Sequence, residues 1–381
     1  MVFNMIAALR RKTQSEDAKR LIKNFISLSV VQGLNYILPL ITIPYITRVL
    51  GAENFGLVGI AAAFMTYFSI FTDYGFNLSA TKEISINRDH KEKVSEIFSS
   101  VMLVKSVLCI IGFFIMLVII LNVGMFKADF LVYLVSYGTV IGNVLFPIWF
   151  FQGIERMKYI TYLNIFSRGI VTILIFILVK NKGDLIIYVT LNSLSAVAIG
   201  MVSLILVLWK FGIRIHIPSL KNIKSQMIEG WYVFISSISI VLYTSSTTLL
   251  LGLFTGKAMA GYYAGADKIR VAVQGLVTPV FQTVYPHVNK LAQESWQKAL
   301  GFIKKELIIF GVAGFIVSLM IIVKSDFIVR MFLGKGYDQS VPVLRILAFT
   351  PLMVLFGNIV TVQCLLSLGL KKEYSRIYIA T

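Results

Sequence analysis

Charge is scarce in this chain, and acidic charge is the scarcer kind. Of 381 residues only 14% are charged, with 36 Lys and Arg against 18 Asp and Glu, while 57% are hydrophobic. A soluble domain of this length must clothe its exterior in polar groups, so this balance excludes one. Cysteine is nearly missing. The two present, Cys109 and Cys364, fall inside apolar runs, which excludes a disulfide framework and leaves ordinary buried thiols. His90, His216 and His287 are scattered without ligand spacing, so neither a metal site nor a cofactor is expected. No GxxxxGK[ST] sequence occurs, which argues against an ATP-driven pump. No small-residue cleavage site follows the charged residues of 10–23, so the first apolar run is expected to stay in the mature protein.

Long apolar runs are what the chain has in quantity. A bilayer crossing needs about 20 helical residues, and ten stretches qualify: 25–47, 55–76, 97–121, 130–151, 159–179, 185–209, 227–254, 258–284, 302–323 and 341–368. The expected fold is all-α and embedded in the membrane. Lys and Arg alternate between the connecting loops. The set that includes the N-terminal tail holds 23 of the 36, the opposite set 8. That excess marks the cytoplasmic side and places the N-terminus inside. The net charge of +18 therefore lies in loops, not in a stripe interleaved with aromatics, and nucleic acid is not an expected partner. Every inner loop is too short for a catalytic domain, so no enzyme is expected.

The chain also resembles itself at a displacement of 205 residues. GAENFG at 51–56 falls on GKAMAG at 256–261, Phe76 on Phe281, and Lys93 on Lys298. FQGIERMK at 151–158 resembles SLGLKKEY at 367–374. A shift of six spans preserves orientation, which is the mark of a parallel repeat about an axis along the membrane normal. The reading is a two-lobed bundle: six spans plus an incomplete second copy, about ten to eleven in all. It divides into a basic cytoplasmic segment (1–24), a six-helix N-lobe (25–209), a cytoplasmic linker (210–226) and a C-lobe of four to five helices (227–381). Nothing in the second copy answers to 168–209, so a twelve-span design lacking its last one and a half to two spans is expected.

Three blocks carry a family likeness: TRVLGAENFG at 47–56, TDYGFNLSATKEIS at 72–85 and PIWFFQGIERMK at 147–158. Together they resemble bacterial O-antigen flippases, the Wzx-type members of the polysaccharide transport family. The resemblance implies the fold of the multidrug/oligosaccharidyl-lipid/polysaccharide exporter superfamily, with two six-helix lobes around a central cavity. It implies as substrate an undecaprenyl-pyrophosphate-linked oligosaccharide, flipped from the cytoplasmic to the periplasmic leaflet of the bacterial inner membrane. A polysaccharide polymerase and chain-length proteins are the partners implied alongside the substrate and membrane lipid.

A sugar pyrophosphate needs hydrogen bonds for its hydroxyls and positive charge for its phosphates. Ionisable groups at depth in lipid are expensive and usually face a cavity or a partner. The candidate basic cavity residues are Arg168, Arg270, Lys268, Lys105 and Arg345. Tyr263, Asp267, Arg270 and Gln274 recur at i, i+4, i+7 and i+11 on one helix face, and with Asn164 supply candidate polar lining. Asp73 and Asp267 are candidates for ion coupling, although for Asp73 an interfacial cap or a partner of Lys82 is the reading that comes first. Two plainer readings stand beside these: Asp267 and Arg270 also fit a buried i,i+3 ion pair, while Lys105 and Lys268 also fit side chains that snorkel to an interface. Pro39, Pro44 and Pro279 are candidate hinges, since proline frees a carbonyl and bends a helix, and Pro147 should interrupt the fourth span. Hydroxyls over 236–248 could meet sugars or neighbouring helices. Trp149 and Trp209 fit interfacial anchors, and 7–23 fits a surface helix touching anionic lipid.

The leading expectation is a lipid-linked oligosaccharide flippase working by alternating access through a basic cavity. The rivals are an ion-coupled drug or metabolite antiporter of the same superfamily, a membrane-embedded polysaccharide polymerase or glycosyltransferase, and an inactive flippase fragment. A basic cavity disfavours cationic drugs, and the longest outer loop, 324–340, is too short for a polymerase site.

Overall fold

The computed structural model describes residues 2–366 and Leu370; side chains are described from Leu38 onward, leaving out Tyr243, Leu366 and most of 276–290. Among the described residues there is no strand. The helices are α1 (Val2–Asp73), α2 (Phe76–Asn87), α3 (Lys91–Asn122), α4 (Gly124–Ala128), α5 (Phe130–Leu145), α6 (Ile148–Gly153) and α7 (Lys158–Leu178). They continue as α8 (Leu185–Ile205), α9 (Leu220–Thr255), α10 (Lys257–Glu294), α11 (Trp296–Val323), α12 (Ser325–Phe332), α13 (Ser340–Leu347) and α14 (Thr350–Asn358). Wider π-type turns extend α8 over Leu206–Lys210 and α14 over Ile359–Leu366.

Eight helical stretches among the described residues are long and apolar enough to cross a bilayer. The expected span 25–47 is described in its side chains only from Leu38, where it runs into the first of the eight, Leu38–Asn87, and 258–284 falls partly on residues whose side chains are not described. The chain is a multi-pass helical membrane protein. α3 illustrates why: Ile110, Phe114, Val118 and Leu121 are exposed from a helix that buries Val101, Val104, Met116 and Ile120 on its other side. Apolar groups facing outward at this density are at home in lipid.

Two compact units emerge. One comprises Met1–Thr42 with Glu53–Ala260, the other Ile43–Ala52 with Gly261–Thr381. The division does not fall at the 210–226 linker, because α9 packs onto α2 and α3 of the first unit. There, Gly230 meets the Tyr74–Gly75 corner so closely that a Cβ on Gly75 would lie 2.6 Å from the Gly230 carbonyl oxygen.

Lipid tails are as apolar as leucine, so close backbone approach has to hold such helices together. Gly138 and Gly142 of α5, spaced GxxxG, face Ser193 and Ala196 of α8, and Gly200 of α8 returns the fit against Leu145. The helix breaks follow local chemistry. Pro147 ends α5 by withholding an N–H and holding Phe146 in an extended conformation (φ −94°, ψ 95°). Pro39 and Pro44, expected as hinges, lie within continuous helix; the non-helical residue inside α1 is Gly51 (φ 75°, ψ 173°). The backbone at Pro279 is helical, and its side chain lies outside the described residues. Trp149 corrects a further expectation: it is fully buried against Phe98, because α6 packs against α2. Trp209 is 86% exposed.

Candidate functional site

Within the first unit, α5, α7, α8 and the 38–42 stretch of α1 line a cavity of about 370 Å³. α7 contributes Asn164, Ser167, Arg168 and Thr172, a single face at spacings of three and four. α8 contributes Tyr188, Asn192 and Ser195 at the same spacing, and α5 adds Asn143. Such a run of amides and hydroxyls is costly among lipid-facing helices unless it meets water or a polar guest. Asn164 and Asn192 each donate to a carbonyl one turn back, Ile160 O and Tyr188 O, both at 2.8 Å. That leaves their amide oxygens as acceptors. The Ser167 and Ser195 hydroxyls bond each other and tie α7 to α8. Among the described residues no acidic side chain is in the lining, and Arg168 has no carboxylate partner. The cavity is thus a polar chamber with one uncompensated positive charge.

Of the expected basic residues, only Arg168 lines this cavity, with Asn164 beside it and Pro39 in the wall. Lys105 is 3% exposed and bonded to Asp73 at 3.1 Å. This pair ties α3 to the end of α1, so both charges have a structural partner. In the second unit the Arg270 guanidinium donates to Asp267 (2.7 Å) and to Gln274 (2.6 Å) along α10. The shared face is present, and its charges are paired within the helix. Lys268 is exposed on another side of α10. Arg345 of α13 bonds Asp326 and Ser325 of α12, at 2.7 and 2.8 Å.

Two residues escaped the sequence reading. Glu306 of α11 is 4% exposed, and its carboxyl faces the amide of the buried Gln363 in the π-type turn without a well-formed hydrogen bond to either oxygen among the described residues. Glu306 follows Lys304 and Lys305 at the start of an apolar run and reads there as part of a charged loop end, while Gln363 is hidden between Val362 and Cys364. The α8 face of the cavity was also missed, although its Tyr-x3-Asn-x2-Ser spacing is readable.

A bundle of bilayer-length helices enclosing a polar chamber is the build of a membrane transporter. Its fold is shared with a solved multidrug resistance MATE family transporter of the MOP superfamily in its inward-facing conformation: TM-score 0.61, 15% identity, covering 92% of this chain and 86% of that one. The polysaccharide biosynthesis protein family matches residues 21–292, and the chain belongs to that family. It is 36% identical to the Escherichia coli K12 protein named "Putative O-antigen transporter" over 94% of this chain and 86% of the relative. A Shigella dysenteriae protein of the same name is 30% identical, covering 94% and 89%.

Proposed function

We propose that this protein flips an undecaprenyl-pyrophosphate-linked oligosaccharide, the repeat unit of O-antigen or a related polysaccharide, from the cytoplasmic to the periplasmic leaflet of the bacterial inner membrane, with its N-terminus in the cytoplasm. The names of the two relatives supply the substrate class. The observation that carries the reading is the uncompensated Arg168 among neutral hydrogen-bonding groups of the cavity. Amide oxygens and hydroxyls suit a sugar head, which presents many weak donors and acceptors. A single guanidinium suits a phosphate, which it can bond in bidentate fashion. The absence of carboxylates from the lining favours an anion over a cationic drug. Transport then proceeds by alternating access, with no covalent chemistry.

The test uses a flippase-deficient host making the cognate polysaccharide. Arg168→Ala should cut surface polymer at least about ten-fold at matched membrane level, the order expected for loss of one charge-assisted contact. Arg168→Lys, which keeps the charge and loses the planar fork, should fall in between. Undiminished polymer in the alanine variant would remove the cavity from the mechanism.

A further inference from the structure

At the end of α8 a cluster of cations stands outside the cavity and serves no part of the reading above. Lys158, which opens α7, and Lys210, which closes the π-type turn, each place their ammonium 5.2 Å from the Tyr159 ring centroid. The two charges are therefore no further from one another than twice that distance. A third comes from Lys91 at the start of α3. Its Nζ fills the space beside Gly212, 2.6 Å from where a Cβ would be, and Gly212 accommodates this at φ +61°. None of the three lysines has a carboxylate partner among the described residues. Glu155, the acid closest to Lys158 in the chain, is bonded to Arg88 at 2.9 Å.

The platform beneath them is fixed. Tyr159 stacks on Phe151 and packs edge-on against Phe211, with centroids 5.9 and 5.3 Å away. The segment after Lys210 is extended and pinned to α3: the Arg214 and His216 backbone N–H groups donate to Ser95 and Ser99 Oγ, at 3.3 and 3.0 Å. This pinning buries Ile213 and turns Ile215 and Ile217 outward, Ile217 completely, on the same stretch of chain as the exposed Trp209 and Leu220. Like charges gathered on a rigid ring repel, and the ring quadrupole offsets only part of that. An anion relieves the rest. The apolar side chains alongside say where the anion is carried: on a molecule with acyl chains, at the membrane–water boundary.

We propose that Lys158 and Lys210 over Tyr159, with Lys91 beside Gly212, form a binding site for the phosphate of an anionic phospholipid headgroup, with Trp209, Ile215 and Ile217 seated against its acyl chains. The site holds a resident lipid at the cytoplasmic end of the first unit and does not depend on what the cavity carries.

The full chain, purified in detergent after incorporation into nanodiscs of phosphatidylcholine and phosphatidylglycerol, is assayed for retained lipid by native mass spectrometry. Wild type should retain phosphatidylglycerol in preference to phosphatidylcholine, and millimolar inorganic phosphate should not displace it. K158A/K210A should weaken retention by about 25-fold, about five-fold for each lysine near an anionic surface. K158R/K210R should keep it, and so should K221A/K224A, which removes equal charge from the neighbouring α9. Should the double alanine variant not fold, the single exposed change Lys210→Gln should still cost about five-fold. Equal losses in K158A/K210A and K221A/K224A would overturn the site, reducing it to general surface charge. Equal retention of the two lipids, or displacement by free phosphate, would overturn the lipid as its ligand.

Discussion

Gly51 and Gly256, 205 positions apart, hold the same unusual backbone conformation: φ 75° and ψ 173° at one, φ 93° and ψ 172° at the other. This region of conformational space is open essentially to glycine alone. Each glycine stands where one long apolar run gives way to the next, inside α1 and between α9 and α10. They are also the residues that the chain's self-comparison pairs.

Gly256 therefore provides a clean test of stored backbone strain. A Cβ there meets nothing within 4 Å, so Gly256→Ala costs only conformation, about 1–3 kcal/mol. Gly301, in the interior of α11, also has open space around it but no positive φ. Gly301→Ala should instead stabilise by about 0.5–1 kcal/mol. Thermal unfolding of the two variants in one detergent should move in opposite directions. A shift of the same sign in both would remove the strain argument.

The Lys105–Asp73 pair should behave as structure. Lys105→Ala leaves a carboxylate near the helix corner with no counter-charge, a loss of about 3–5 kcal/mol for a fully buried pair. The lower end is expected, because Asp73 keeps 23% exposure. Replacing both partners by neutral groups, K105M/D73N, should recover most of that stability. Recovery of stability without recovery of transport would return Asp73 to the list of coupling residues.

How far the fold could be read from the chain varied with the range of the interaction. Spans of 20 apolar residues announce themselves, and so does a charge such as Arg168 in the middle of an apolar run beside Asn164. The pairing of Lys105 with a residue 32 positions away is tertiary, and no local pattern reports it. Prolines looked like the breaks, yet a helix can carry a proline and stay continuous, whereas the φ of Gly51 cannot belong to a helix. Trp149 sits where an interfacial anchor belongs, but α6 turns it into the core. On α8 the polar face is built from neutral residues, which stand out less than charges although their spacing is as regular.

Close packing of α5 on α8 sets the cavity wall, and this makes a further prediction. A Cβ on Gly142 would lie 2.5 Å from the Ala196 carbonyl oxygen, a backbone atom that cannot rotate away. Gly142→Ala must separate the helices, at about 1–3 kcal/mol for overpacking. Asn143, Asn192 and Ser195 flank this contact and line the cavity. Surface polymer should thus fall at matched membrane level together with the melting temperature. Gly169→Ala, on α7 with open space around it, should instead raise the melting temperature slightly, by the same helix preference as Gly301→Ala.

Glu306 poses the opposite case, a group whose removal should help the fold. Its carboxyl is buried against α14 and the following π-type turn, where the Gln363 amide faces it without a well-formed hydrogen bond. Such a group costs more in desolvation than one weak contact returns. Glu306→Leu should raise stability by about 1–3 kcal/mol, the penalty of a poorly satisfied buried polar group, and Glu306→Gln should change it by less, since the amide stays buried beside the same Gln363. A lower melting temperature in the leucine variant would mean the carboxyl has a stabilising partner in the membrane-embedded protein. If stability rises while surface polymer falls, the carboxyl is kept at the expense of the fold for the transport cycle, the trade expected of a functional group in a low-dielectric site. π-type turns recur at functional sites in membrane and soluble helices alike, and the one carrying Gln363 faces this carboxyl. The leucine variant is therefore expected to be more stable and less active.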